Sequence, residues 1–155
     1  MAIDLLKGLG VSALAVLSAT VLLPPAARIP FVGVLLGVAA GVYPGFALGS
    51  TPTRERRLQW LVTVAFAFVA TAGIAFSAWW LTAGWVLHAA WDALHHAGRR
   101  GAWVPVHYPM FCLSFDLVLA VYPVLLGTGK RLFAEGTPAR SFDLVDTLPL
   151  ASGIV

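Results

Sequence analysis

The chain reads as an all-α, polytopic membrane protein with five transmembrane helices in a single bundle, and three observations carry that reading. Hydrophobic residues make up 59% of the 155 positions and charged residues only 11%, with a mean hydropathy of +0.86. A domain wetted on all sides carries about a quarter charged residues. No Asp, Glu, Lys or Arg occurs between Gly8 and Ala27, between Ile29 and Thr53, or between Leu58 and Trp91. These apolar runs are continuous and do not alternate, which argues against a β-barrel. The single cysteine, Cys112, allows no intrachain disulfide. The formal charge of +3 does not point to nucleic acid, because in such a chain a basic excess sits in short loops and sets orientation.

Each span follows from where the charges stop. About 20 apolar residues cross a bilayer as helix. The first span is expected at about 5–23, closed by Pro24 and Pro25. Lys7, the apolar run and the small residues near Ala26 also resemble a signal peptide, but an uncleaved first helix is the expectation. The second span is expected at about 30–49, opening at Pro30, a residue suited to a first helical position. The third charge-free window is too long for one helix and is divided near Ser77 to Ala83, with Trp79 and Trp80 as interfacial anchors. That gives spans at about 58–76 and 80–97, the latter ended by Gly98, Arg99, Arg100 and Gly101. A fifth runs over about 108–127, stopped by Gly127, Gly129, Lys130 and Arg131, and 133–155 is read as a peripheral tail.

On this layout Lys7, Arg54, Arg56, Arg57, Arg99 and Arg100 share one side, against Arg28, Lys130, Arg131 and Arg140 on the other. The balance favours a cytoplasmic N-terminus. Gly33, Gly37, Gly41, Gly45 and Gly49 recur at every fourth residue of the second helix. Glycine lets a neighbouring backbone approach closely in lipid, so this stripe is read first as a contact within the bundle. The alternatives are a homodimer seam or a surface for a larger complex.

The chemistry lies between Trp85 and Asp116. With His88 at zero and 100° per residue, Asp92 falls at about +40°, His95 at about −20° and His96 at about +80°, all on one helix face. Asp116 lies on the next helix, one turn beyond Cys112. Counted from the intervening loop at about 1.5 Å per residue, Asp116 sits level with the gap between Asp92 and His88. Buried ionisable groups in hydrocarbon are costly and mark function more often than packing.

Three readings follow. In the favoured one, His88, Asp92, His95, His96 and Asp116 supply metal ligands, and Asp92 or Asp116 serves as catalytic base in a membrane-embedded enzyme acting on a lipid or other apolar substrate. His88 with Asp92 and Asp116, or Asp92 with His95 or His96, are the sets with suitable spacing, because His88 and His95 lie about 10.5 Å apart along the helix axis. Zinc with an open position fits the ligand count, and hydrolysis is the matching reaction. Iron is the alternative. In the second reading these groups are an interhelical glue in an accessory subunit, with no metal. In the third they form a proton or ion pathway. His107 reads as an ordinary loop residue and Cys112 as a small buried hydrophobe.

The pattern Trp85-x-x-His88-x-x-Trp91-Asp92-x-x-His95-His96, followed by Pro109-x-x-Cys112-x-x-x-Asp116, resembles a family of small bacterial integral-membrane proteins of unknown function. The resemblance covers about residues 85–116 and implies only that these residues act as a unit. The Asp-x-x-His-His run is similar to a histidine box of membrane desaturases and hydroxylases, which bind two irons. In chemistry, though not in length, the cluster is similar to membrane hydrolases of the alkaline ceramidase type, which use buried His and Asp around zinc.

Overall fold

The structure is a computed structural model that describes residues 1–49, 51–96 and 103–126. Among the described residues five helices follow one another: α1 (Ala2–Leu22), α2 (Pro25–Ala47), α3 (Thr53–Ala75), α4 (Trp79–His95) and α5 (Tyr108–Leu125). Four of them, α1, α2, α3 and α5, are long and apolar enough to cross a membrane. The expected arginine pair at 99–100 and the tail at 133–155 lie outside the described residues.

Two helix starts differ from expectation for the same reason: a charge-free window marks the apolar part of a helix, not its ends. The second helix begins at Pro25 rather than Pro30, and Pro30 and Pro44 both lie inside it. Pro25 takes the first helical position, where no N–H is needed. Arg28 then turns back onto the C-terminus of α1, donating from Nη2 to the Thr20 carbonyl at 2.8 Å and from Nε to the Leu23 carbonyl at 3.2 Å. Those are carbonyls that a helix end leaves without partners. Likewise α3 begins at Thr53, so the Arg54-Glu55-Arg56-Arg57 segment is helical and carries charge one turn beyond the apolar part.

Packing follows chain order except at α1, which lies against α5 far more than against α2. The most extensive contacts are α4 with α5, α1 with α5 and α2 with α3, with α3 also against α4. Close approaches are made where glycine permits them. A Cβ on Gly8 of α1 would run into the Ser114 hydroxyl and the Phe111 carbonyl of α5. On Gly84 of α4 it would lie 2.7 Å from a Leu36 methyl and 2.8 Å from a Val69 methyl. Ser114 Oγ also donates to the Leu5 carbonyl at 2.9 Å, fastening α1 to α5.

The glycine stripe of α2 is not the continuous bundle contact expected of it. Gly33 faces α3, where an added Cβ would meet Ile74, but Gly37, Gly41, Gly45 and Gly49 have nothing within 4 Å of that position. A step of four residues advances about 400° around a helix, so the stripe drifts by about 40° each time. Over its length it leaves the α3 interface and emerges on the outer surface.

The distribution of polarity is inverted relative to a protein that faces water. Leu14, Leu17, Val21, Leu61, Phe68, Leu87 and Val121 are exposed, while Ser12, Gln59, His88, Asp92, His95, Ser114 and Asp116 are buried. Trp85, Tyr43, Leu36, Leu81 and Leu119 fill the interior around them.

Candidate metal centre

Three of the five expected ligands meet at one point. His88 and Asp92 come from successive turns of α4 and Asp116 comes from α5, and the side chains of all three are 0% exposed. His88 Nδ1 lies 2.7 Å from Asp116 Oδ2 and 3.6 Å from Asp92 Oδ2. One donor atom from each residue falls within 4.8 Å of the others. Asp116 reaches the α4 pair across the α4–α5 interface, one of the most extensive among the described helices.

The remaining bonding capacity of this group is unfilled. Asp92 Oδ2, Asp116 Oδ1 and His88 Nε2 are buried without a hydrogen-bond partner. Two carboxylates and one imidazole cannot reach neutrality by pairing alone unless a carboxyl keeps its proton. Leaving buried acceptors unpaired costs several kcal/mol in a medium without water. A divalent cation between the three residues balances two carboxylates and takes up free oxygens, so the donor set fits one. It offers one nitrogen and two oxygens, donor types that both zinc and iron accept.

Much of the surroundings of the group comes from α2 and α3, which carry none of the expected ligands. Tyr43 of α2 donates its hydroxyl to Asp92 Oδ1 at 2.5 Å. Phe66 of α3 sets its ring edge to face against His88, centroids 5.0 Å apart. Trp85 stands one turn from His88 with ring centroids at 6.3 Å. The signals for Tyr43 and Gln59 were modest: a lone tyrosine in an apolar helix, beside Pro44, and a lone amide in a charge-free window.

His95 and His96 are placed apart from these three. His95 is buried, with Nδ1 2.8 Å from the Trp91 carbonyl and Nε2 3.2 Å from Gln59 Nε2. The Tyr43 ring lies between it and the ligand group, at 4.3 Å from the His95 ring and 6.3 Å from that of His88. His96 is half-buried and follows the end of α4, its backbone N–H bonding the Asp92 carbonyl. His107 is exposed, 3.5 Å from Asp4 Oδ2, and Cys112 is buried.

Fold and site together define an all-α protein of apolar helices that encloses a His/Asp/Asp group. The chain belongs to a family of unknown function, DUF6010, whose family model matches residues 3–129. The match therefore takes in the whole helical bundle and not only the segment carrying the histidines. Neither a curated protein nor a solved structure matches the chain.

Proposed function

We propose that His88, Asp92 and Asp116 hold a divalent cation inside a five-span membrane protein, and that the protein is a metal-dependent enzyme acting on a lipid or other apolar substrate. The observation that carries the reading is the convergence of three fully buried ligands, each with an unpartnered polar atom. The exposed apolar side chains and the length of four helices support the membrane setting. The fifth crossing is α4, whose 17 residues lie at the short end of the range that spans a bilayer. A cytoplasmic N-terminus in a bacterial-type inner membrane belongs to the same proposal.

Zinc is the cation preferred here, with iron the alternative. Three protein ligands leave one position of a tetrahedral shell open, which is the pattern of a hydrolytic site. When bound, such a cation polarises an acyl or phosphoryl oxygen and makes water acidic. The chain's own part is to hold the three donors at fixed depth, exclude bulk water and offer Asp116 Oδ1, which has no hydrogen-bond partner, as proton acceptor. Hydrolysis then consumes one water, with the proton passing through that carboxylate to the leaving group.

The complete enclosure of the three side chains favours a second reading, an accessory subunit in which the same ion pins α4 to α5. The open face from Gly37 to Gly49 is then the surface for a second copy or a host complex. Elemental analysis of detergent-purified protein, beside Asp92→Ala and Asp116→Ala, tests the shared premise. About one zinc or iron per chain, lost in both variants, is the expected result. Metal-free protein at every loading, with both variants folded, would remove both metal-based readings.

A further inference from the structure

His95 has the residue type, helix face and burial of a ligand, yet its two ring nitrogens are already committed. The Trp91 carbonyl can only accept, so Nδ1, at 2.8 Å, carries the proton. A neutral ring then leaves Nε2 as an acceptor, and it faces the Gln59 amide nitrogen at 3.2 Å. The same amide nitrogen reaches Glu55 Oε1 at 3.3 Å. Its two N–H groups thus meet two acceptors, while Gln59 Oε1 is buried without a hydrogen-bond partner.

The ring so fixed packs on Tyr43. The two centroids are 4.3 Å apart and the planes are inclined by 36°. Phe46 and Tyr108 hold Tyr43 edge-on, at 6.4 and 5.8 Å. The Tyr43 hydroxyl is thereby directed onto Asp92 Oδ1, while Asp92 Oδ2 stays unpartnered, 3.6 Å from His88 Nδ1. One oxygen of Asp92 is occupied before any ion arrives.

We propose that Gln59, His95 and Tyr43 form a positioning chain that makes Asp92 a one-oxygen ligand, and that His95 does not itself bind the metal. This rests on the metal reading above. The Trp91 carbonyl and Gln59 together set the His95 tautomer, His95 sets the Tyr43 ring, and Tyr43 leaves Oδ2 as the oxygen Asp92 presents. Partners of this kind, one bond removed from the ion, change metal affinity by about 10- to 100-fold when removed.

Cobalt(II) titration of the full-length protein in detergent, read by its visible absorption, tests the proposal. His95→Phe keeps an aromatic ring against Tyr43 and is expected to retain one cobalt per chain. Tyr43→Phe is expected to bind about 10- to 100-fold more weakly with an altered spectrum, as Asp92 Oδ1 becomes free. Loss of the site in folded His95→Phe, or unchanged affinity and spectrum in Tyr43→Phe, would overturn it. Nitrogen-15 NMR of histidine-labelled, metal-free wild type provides a readout independent of both variants. A neutral His95 with the proton on Nδ1, and an Nε2 signal displaced by Gln59→Leu, is expected; a proton on Nε2 contradicts the chain. A wild type that takes up no cobalt but shows the expected His95 tautomer defeats the metal reading, and the ligand role of Asp92 with it.

Discussion

His88 Nδ1 and Asp116 Oδ2 stand 2.7 Å apart across the α4–α5 interface, both side chains closed off from the exterior. The contact ties together the two described helices with the most extensive packing, and links the carboxylate of α5 directly to the α4 pair. Replacing Asp116 by Ala removes that acceptor and leaves His88 facing Asp92 alone. Breaking a buried pair from one side costs about 3 kcal/mol or more. A clearly lower melting temperature of Asp116→Ala in micelles is expected, and Asp116→Asn, which keeps an acceptor oxygen, should recover part of the loss.

Metal removal should reproduce some of that loss in the unmodified chain. A cation that binds the folded state at about 100 times its dissociation constant stabilises it by about 2.7 kcal/mol. Chelation followed by thermal unfolding is expected to lower the midpoint, with recovery on adding back zinc. The Asp92→Ala variant should not respond to either step.

Glycines at two positions should give opposite results. Gly8 faces the Phe111 carbonyl so closely that a methyl group has no place. Gly8→Ala is expected to destabilise by about 1–3 kcal/mol through forced separation of α1 from α5. Gly41 has open space around it, so Gly41→Ala should be neutral or stabilise by up to about 1 kcal/mol through helix propensity. Thermal unfolding in one detergent compares the two directly. A loss at Gly41 that appears only at protein concentrations supporting association would identify that face as a seam between copies.

Cys112 is 4% exposed. Maleimide labelling of folded protein is expected to be about 100-fold slower or more than in denaturing detergent, because reaction requires α5 to open. In a Cys112→Ala background, Ala2→Cys and Leu126→Cys should label from opposite faces of sealed membrane vesicles. Labelling from one face would rule out an odd number of crossings.

Much of this organisation was legible in the chain because charge is so scarce. The junctions at Pro24 and before Tyr108 fall where proline or charge interrupts an apolar run, and the one at Ser77 falls where a charge-free window is too long for a single helix. The Asp116 level was legible too, since helical rise converts sequence distance from a shared loop into depth. What was not legible depends on neighbours that no single helix reveals. The Gly33 to Gly49 spacing looks like one face but drifts around the helix. His95 shares a face with Asp92, yet Gln59 from α3 takes its Nε2 and Tyr43 from α2 separates it from His88. Helix periodicity identifies which residues point inward; the helix opposite decides what each of them bonds.

The central claim, a cation held by one imidazole and two carboxylates, is tested most directly by X-ray absorption at the zinc edge on zinc-loaded protein in detergent. The expected shell contains nitrogen and oxygen only, at about 2.0–2.2 Å, with the outer-shell signature of a single imidazole from His88. A sulfur neighbour at about 2.3 Å would bring Cys112 into the site. Two or more imidazoles would restore His95 or His96 as ligands. Either result, or protein that retains no zinc, would contradict the His88, Asp92 and Asp116 centre.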